Sequence, residues 1–221
     1  MVVDVKKITA ALYTHFKIEG HFRVDKQTGL VDVTGNVTLI SHLDELPVSF
    51  GTVSKNFKCI GCGLTTLKGA PRHVGYSFYC VSNNLTSLEH APVTVTDGFN
   101  CSYNQLISLV GAPRHVGDGF NCNNNQLTHL QGAPNSVNGF YCEYNPLTDL
   151  SHLPEQISLL WCSYSLHLPL LRLLMYNDVG CLGAPMIVKD ILSKYEGKGK
   201  AGAIKAAAEL IKAGYKENAR W

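Results

Sequence analysis

A cysteine returns at Cys59, Cys80, Cys101, Cys122, Cys142 and Cys162, in steps of 21, 21, 21, 20 and 20 residues. Each sits in the same phrase: "FKCIGCGLTTLKGAP", "FYCVSNNLTSLEHAP", "FNCSYNQLISLVGAP", "FNCNNNQLTHLQGAP", "FYCEYNPLTDLSHLP" and a degraded "LWCSYSLHLPL". A unit this short cannot bury its own apolar side. Units repeated at a fixed period must therefore stack, each as one turn of a solenoid.

The consensus F-x-C-x-x-N-x-L-T-x-L-x-G-A-P-x-x-V reads as a short strand leading into a turn, because Phe, Cys and the first Leu nearly alternate with polar residues. Leu64, Leu85, Leu106, Leu127 and Leu147 form one apolar column, and Leu67, Leu88, Leu109, Leu130 and Leu150 a second. The Asn column (Asn83, Asn104, Asn125, Asn145) supplies side-chain amides to backbone groups that a tight bend leaves unpaired. The Pro column (Pro71, Pro92, Pro113, Pro134, Pro154) forbids a helix on the return path and favours extended backbone.

This pattern resembles the leucine-rich repeat, L-x-x-L-x-L-x-x-N-x-L, with Phe and Cys in the strand positions. The L-x-G-A-P-x-x-V half is similar to the short repeats of bacterial effector proteins, in which the convex side is extended. The phrase F-x-C-x-x-N-x-L-T-S-L-x-G-A-P resembles uncharacterised leucine-rich-repeat proteins of bacteriophages, and the tail "KYEGKGKAGAIKAAAELIKAGYKENARW" resembles a recurrent ending of phage proteins. The repeat resemblance covers residues 37–170 and bears on fold far more than on function. The expected architecture is an α/β solenoid of short leucine-rich repeats, with a parallel strand ladder, an extended convex side and α-helical caps.

The ends read as caps. Residues 1–36 hold a helix, "DVKKITAALYTHF", with Ile8, Ala11, Leu12 and Phe16 on one face. "HFRVDKQTGLVDV" follows as two short strands around a Gly-containing turn, and "VTLISHLDELP" resembles a shortened first repeat. After residue 170 the period stops. Residues 171–221 then read as a helical cap, with Pro185 near a helix start and Ile187, Ile191 and Tyr195 inward. "GKGKAG" breaks that helix, and a second places Ile204, Ala208 and Ile211 on one side. Solenoids need such caps because their end turns expose core.

Net charge is +2, so no polyanionic partner is implied and a nucleic-acid partner is not expected. The charge is uneven, at −3 over residues 68–170 and +4 over residues 171–221. No apolar run approaches the ~18 residues of a membrane helix. "MVVDVKK" lacks the features of a secretory signal, so the expectation is a soluble, cytoplasmic protein.

Eight cysteines invite a disulfide or zinc reading. Six share an inward strand position, however, where Cys acts as a small hydrophobe. A straight ladder does not converge on a metal, and Cys59-x-x-Cys62 has no second pair. Ser108, His129 and Asp149 occupy one column on three successive rungs, in the order of a nucleophile–base–orienter relay. Such a column also takes any polar residue, and no strained elbow or oxyanion hole accompanies it, so no catalytic residue is assigned. His73 and His115 are two rungs apart, and "EGKGKAGA" lacks the Lys-Ser/Thr of a phosphate loop. No cofactor or metal is expected.

The remaining feature is the outward side of the strands. Tyr79, Tyr141 and Trp161 precede the cysteine, and Tyr103, Tyr144 and Tyr164 lie two after it. Such aromatics either lie under the C-terminal cap or form a recognition patch. The functional expectation is a non-enzymatic protein-binding module; the resemblance to bacteriophage repeat proteins implies that it is phage-encoded and acts on a host or phage protein, in host takeover or anti-defence. The alternatives are a structural virion component and an effector-like enzyme that recognises substrate through its repeats.

Overall fold

A computed structural model describes residues 2–221. Helix α1 (Val5–His15) leads into the antiparallel hairpin β1 (Phe16–Val24) and β2 (Val31–Leu39). Nine short strands follow: β3 (Phe50–Val53), β4 (Phe57–Lys58), β5 (His73–Val74), β6 (Phe78–Tyr79), β7 (Thr94–Val95), β8 (Phe99–Asn100), β9 (Gly119–Asn121), β10 (Gly139–Tyr141) and β11 (Leu159–Ser163). After a 3-10 turn at Leu171–Met175 come β12 (Val179–Leu182), α2 (Met186–Tyr195), α3 (Gly199–Lys212) and a last 3-10 turn, Glu217–Ala219. The result is a β-solenoid of about eight turns with a parallel strand ladder and a helix at each end.

The ladder is double. The F-x-C arms pair in parallel register through β4, β6, β8, β9, β10, β11 and β12. The V arms of the return path pair through β3, β5 and β7 and continue as single bridges from Val95 to Val116 and from His115 to Ser136 to Gln156. Both grow from β2, whose first half pairs with β3 and whose second half pairs with β4. Gly35 lies where β2 passes from one ladder to the other. It faces Gly20 of β1 at φ 153°, and a Cβ there would collide with the Glu19 carbonyl oxygen.

In-register pairing decides the core. Phe57, Phe78, Phe99, Phe120 and Phe140 stack parallel and offset, with centroids 5.3 to 5.6 Å apart. At the N-terminal end, where the repeat is imperfect, Phe16, Phe50 and Phe57 meet edge to face instead. Both leucine columns and all five Pro71-column residues are buried. No helix among the described residues is long and apolar enough to cross a membrane.

The Asn column ties each rung to the one before. Asn125 Nδ2 donates to the Cys101 carbonyl at 3.1 Å and to the Cys122 carbonyl at 3.0 Å, while its Oδ1 accepts from Leu106 N at 3.0 Å. Asn83, Asn104 and Asn145 repeat the arrangement. In the first rung Cys62 fills the Asn slot, its thiol facing the Leu39 and Ile60 carbonyls at 3.5 and 3.3 Å. The last rung has Ser165 there, and Asn218 arrives from the C-terminus to donate to the Ser165 and Leu168 carbonyls, both at 2.9 Å.

The ladder cysteines use their backbone and their thiols alike. Cys59 N donates to the Tyr79 carbonyl at 2.9 Å, and its thiol faces the same oxygen at 3.4 Å. Cys80, Cys101, Cys122 and Cys142 do the same one rung further on. Burial pushes all five thiols well above the ordinary range, because a buried thiolate would lose its hydration.

Several expected faces move. Phe16 is extended backbone, capping α1 rather than continuing it. In α2 the buried stripe is Val188, Ile191 and Tyr195, and Ile187 is exposed. The break before α3 is shorter than "GKGKAG": α3 starts at Gly199 and buries Gly202, Ala203, Ala206 and Leu210, leaving Ile204 and Ile211 outside. Small residues let that helix sit closely on its neighbours, which the larger isoleucines would prevent. The strand ladder also runs past residue 170, since Val179–Leu182 adds a rung in which Cys181 pairs with Cys162.

Two outcomes follow from this bonding. Asn125→Ala removes the donors to two buried carbonyls and the acceptor of Leu106 N, and urea unfolding should show a loss of about 3 kcal/mol. The buried thiols keep their protons in the folded state above pH ~8.5, where unfolded thiols release theirs, so stability is full below that pH and falls above it. Five such groups give a limiting slope of roughly 7 kcal/mol per pH unit, and Cys101→Ala should make the alkaline loss shallower by about one proton.

Candidate functional site

The outward column is made by the residue between Phe and Cys, since alternate strand residues face opposite sides. It runs Lys58, Tyr79, Asn100, Asn121, Tyr141, Trp161 and Gly180, in register. The Lys58 ammonium lies 5.7 Å from the centre of the Tyr79 ring. Tyr141 folds back over the glycines that precede Phe in its own and the previous rung. A Cβ on Gly139 would stand 2.8 Å from its Cε2, and one on Gly119 3.6 Å. Trp161 lies over Gly180 in the same manner, at 2.5 Å from such a Cβ. Glycine therefore makes the seat on which each ring is held.

Tyr79 and Tyr141 end a shallow groove of about 230 Å3, floored by Gly98, Gly119, Asn100 and Asn121. Ser77, Asp97 and Asp118 form its side. Ser77 Oγ donates to Asp97 Oδ2 at 2.5 Å, and Asn138 Nδ2 to Asp118 Oδ1 at 3.1 Å. Both carboxylates are exposed, and each keeps an oxygen free of that bond. The two asparagines on the floor are internally engaged, Asn100 Oδ1 by Ser102 N at 3.0 Å and Asn121 Oδ1 by Asn123 N at 3.0 Å.

The other expected aromatics lie elsewhere. The position two after Cys is not on the strand. It is a left-handed turn in every middle rung, with φ 65° at Gly61, 56° at Ser82, 55° at Tyr103, 54° at Asn124 and 54° at Tyr144. The strands are too short for alternation to persist that far. Tyr103 and Tyr144 are 58% and 61% exposed along this turn, two rungs apart. Tyr164 is half-buried, and its hydroxyl donates to Asn218 Oδ1 at 3.0 Å under the C-terminal cap. Thus Tyr79, Tyr141 and Trp161 share one column, Tyr103 and Tyr144 another, and Tyr164 is held by the tail.

The Ser108 column has a local use at every rung. Thr66, Ser87, Ser108, His129 and Asp149 each accept from the backbone N–H two residues on. Ser108 Oγ donates to the Gln131 carbonyl at 3.3 Å, and Asp149 Oδ2 accepts from Ser151 Oγ at 2.5 Å. Among the described residues no hydrogen bond joins Ser108, His129 and Asp149, and no three His, Cys, Asp or Glu side chains gather as a metal site requires.

A second concavity of about 320 Å3 lies beyond Trp161 at the last rung. Leu173, Leu174, Val179 and Leu192 make its apolar wall, and Cys181, Lys189 and Glu196 bring polar atoms to it. All eight cysteines are free thiols, and seven are buried; Cys181 is the half-buried one. The Cys162 thiol hydrogen-bonds to it and, with the Lys189 ammonium, holds it below the ordinary thiol range against the opposing effect of burial.

Comparison with protein-family models, curated proteins and solved structures returned no match.

Sequence reading passed over the two carboxylates and the last rung. Both had a signal. "TDGF" and "GDGF" repeat an Asp-Gly before Phe, and Cys181 follows Cys162 by 19 residues, close to the falling period.

Cys181 should be the one thiol that reacts within seconds in the native protein. Titration with a chromogenic disulfide reagent should give one fast equivalent and seven more on denaturation. Because its thiolate is favoured, the fast rate should reach half-maximum below pH ~8.5, the midpoint of a free cysteine. Cys181→Ser should remove the fast phase.

Proposed function

We propose that the protein is a non-enzymatic binding module whose outward groove holds an extended segment of another protein. The observation that carries this reading is the placing of Tyr79 and Tyr141 at the ends of a groove edged by Asp97 and Asp118, with Tyr141 seated on Gly119 and Gly139. A ring fixed on a glycine seat has little rotamer freedom left to lose on binding, which favours recognition. The groove floor carries no charge, while two carboxylates line its side. That combination suits a segment with an apolar or aromatic residue near each tyrosine and a lysine or arginine between them. The net charge of −3 over residues 68–170 favours the same partner.

The place of action belongs to the same proposal. Eight free thiols suit a reducing compartment, and the resemblance to phage repeat proteins supports the cytoplasm of an infected bacterium. There the segment would belong to a host or phage protein.

The test is selection of a random peptide display library on the whole protein, followed by titration of the enriched peptides. The expected motif contains at least one basic residue. Truncating a central aromatic commonly costs ~2 kcal/mol, so Tyr141→Ala should bind roughly thirtyfold more weakly, with an unchanged melting temperature. Asp97→Asn/Asp118→Asn should flatten the salt dependence. Enriched peptides that bind Tyr141→Ala and wild type alike would overturn the assignment of this groove.

A further inference from the structure

The two ends of the sheet are finished differently. At the C-terminal end Val179 N of β12 donates to Glu196 Oε1 at 3.3 Å, and Lys189 and Leu192 of α2 line the same cavity as β12. At the N-terminal end the last strand is β1, nine residues long, paired on one side with β2. Val31 N and Val37 N donate to Ser49 and Asn56, and the Val33 and Gly35 carbonyls accept from Ser54 and Lys55. The odd-numbered residues of β2 therefore face β3 and β4, and its even-numbered residues face β1. With Ile18 opposite Val37 and Phe22 opposite Val33, the even-numbered residues of β1 must turn their N–H and C=O groups away from β2. Among the described residues, the backbone groups of Ile18, Gly20, Phe22 and Val24 make no other hydrogen bond. This is an open sheet edge, the kind of surface that takes another strand.

The side chains on that strand indicate which strand it takes. Lys17, Glu19, His21 and Arg23 are exposed on one face, and Asp25 follows just after the strand, its N–H paired with the Leu30 carbonyl at 2.9 Å. Its Oδ1 accepts from Gln27 N, Thr28 N and Thr28 Oγ1 of the turn, so that Oδ2 is the oxygen left to a partner. We infer that β1 pairs antiparallel with β1 of a second copy of this chain, about a two-fold axis through His21. In that register Lys17 stands opposite Asp25 of the other copy and Glu19 opposite Arg23, so every charged pair is of opposite sign and each occurs twice. On the other face Ile18 meets Val24, and Phe22 lies across Gly20, where no side chain obstructs the ring. The four outward-turned residues become the doubly bonded pairs, Ile18 with Val24 and Gly20 with Phe22. The charged residues fall in the close, non-bonded pairs, where cross-strand charges act most strongly.

The neighbouring registers fail on charge. Centring the axis on Gly20 sets Lys17 against Arg23. Centring it on Phe22 sets Glu19 against Asp25. Only the His21 register of these three, in which His21 meets its own copy on the axis, has no like-charge pair among the Lys, Arg, Asp and Glu side chains, and like charges directly opposite are destabilising. The ion pairs that these residues make within one chain, Lys17 with Glu19 at 2.7 Å and Arg23 with Asp32 at 3.9 Å, are exposed and hold little against the exchange.

A strand-edge contact of this size makes a weak dimer, with a dissociation constant of ~10–100 µM. The experiment is sedimentation velocity of the whole protein over a concentration range spanning those values, at low salt and at ~0.5 M NaCl, where exposed ion pairs are screened. Wild type should pass from one to two chain masses at low salt and dissociate at high salt. Glu19→Arg and Arg23→Glu each create like-charge pairs and should associate at least tenfold more weakly, with circular dichroism unchanged. In an equimolar mixture of the two variants, the arginine introduced by the first faces the glutamate introduced by the second. The native Arg23 of the first then faces the native Glu19 of the second, so the mixture should dimerise again. A wild type that stays monomeric throughout, or a dimer indifferent to both variants, would overturn the inference; so would single variants that weaken association without recovery on mixing.

Discussion

A chain that turns back on itself every twenty or so residues without helices leaves backbone groups at each bend with no partner in the same turn. The fold depends on how those groups are satisfied. Asn83, Asn104, Asn125 and Asn145 do it by reaching backwards, each amide donating to a Cys carbonyl in its own rung and in the one before, and accepting from a Leu N–H there. A rung is thus completed only by its successor. The series must end on something that is not a rung, and Asn218 serves as that end. It comes from the C-terminal tail to the Ser165 and Leu168 carbonyls, and its own carbonyl accepts from Leu170 N at 3.1 Å.

The same dependence runs from the other end. β2 is the template for both arms of every later turn, and the Gly20–Gly35 crossing lets one strand start two ladders. Once both arms are in register, like side chains are brought over one another whether or not their contact is the best one. The phenylalanine rings stack parallel and offset along the column and meet edge to face where Phe16, Phe50 and Phe57 come from different strands. The backbone ladder sets the ring geometry here, and its spacing allows the parallel, offset contact that aromatic rings favour.

Much of this was legible in the sequence, because the period is carried by residues whose placement admits few alternatives. The Phe, Cys, Leu, Asn and Pro columns are where their spacing puts them. The return path is extended, as the Pro column requires. What was not legible depended on lengths that periodicity does not report. Strands of two and three residues end before Tyr103 and Tyr144, so the rule of alternation gave them the wrong surroundings. In the helices the isoleucines were expected inward on hydrophobicity, yet close approach selected Ala203 and Ala206 over Ile204. Tyr164 was legible as an aromatic near the cap, but its partner lies 54 residues away, beyond the reach of any local pattern. Asp97 and Asp118 were visible as a repeat and passed over, since a turn aspartate usually serves the turn.

The glycine seats under Tyr141 and Trp161 have a further consequence. The middle rungs are interchangeable in their inward and turn-forming residues, so only the outward column and the turn column distinguish one from the next. Inserting or deleting a whole unit between Phe78 and Phe140 would leave the asparagine bonds, the ring stack and both ends unchanged. It would alter only the distance between the two tyrosines, by one strand spacing of ~4.8 Å. Descendants of such a chain could reset the length of the groove by duplication alone, with the residues at each end of it kept constant.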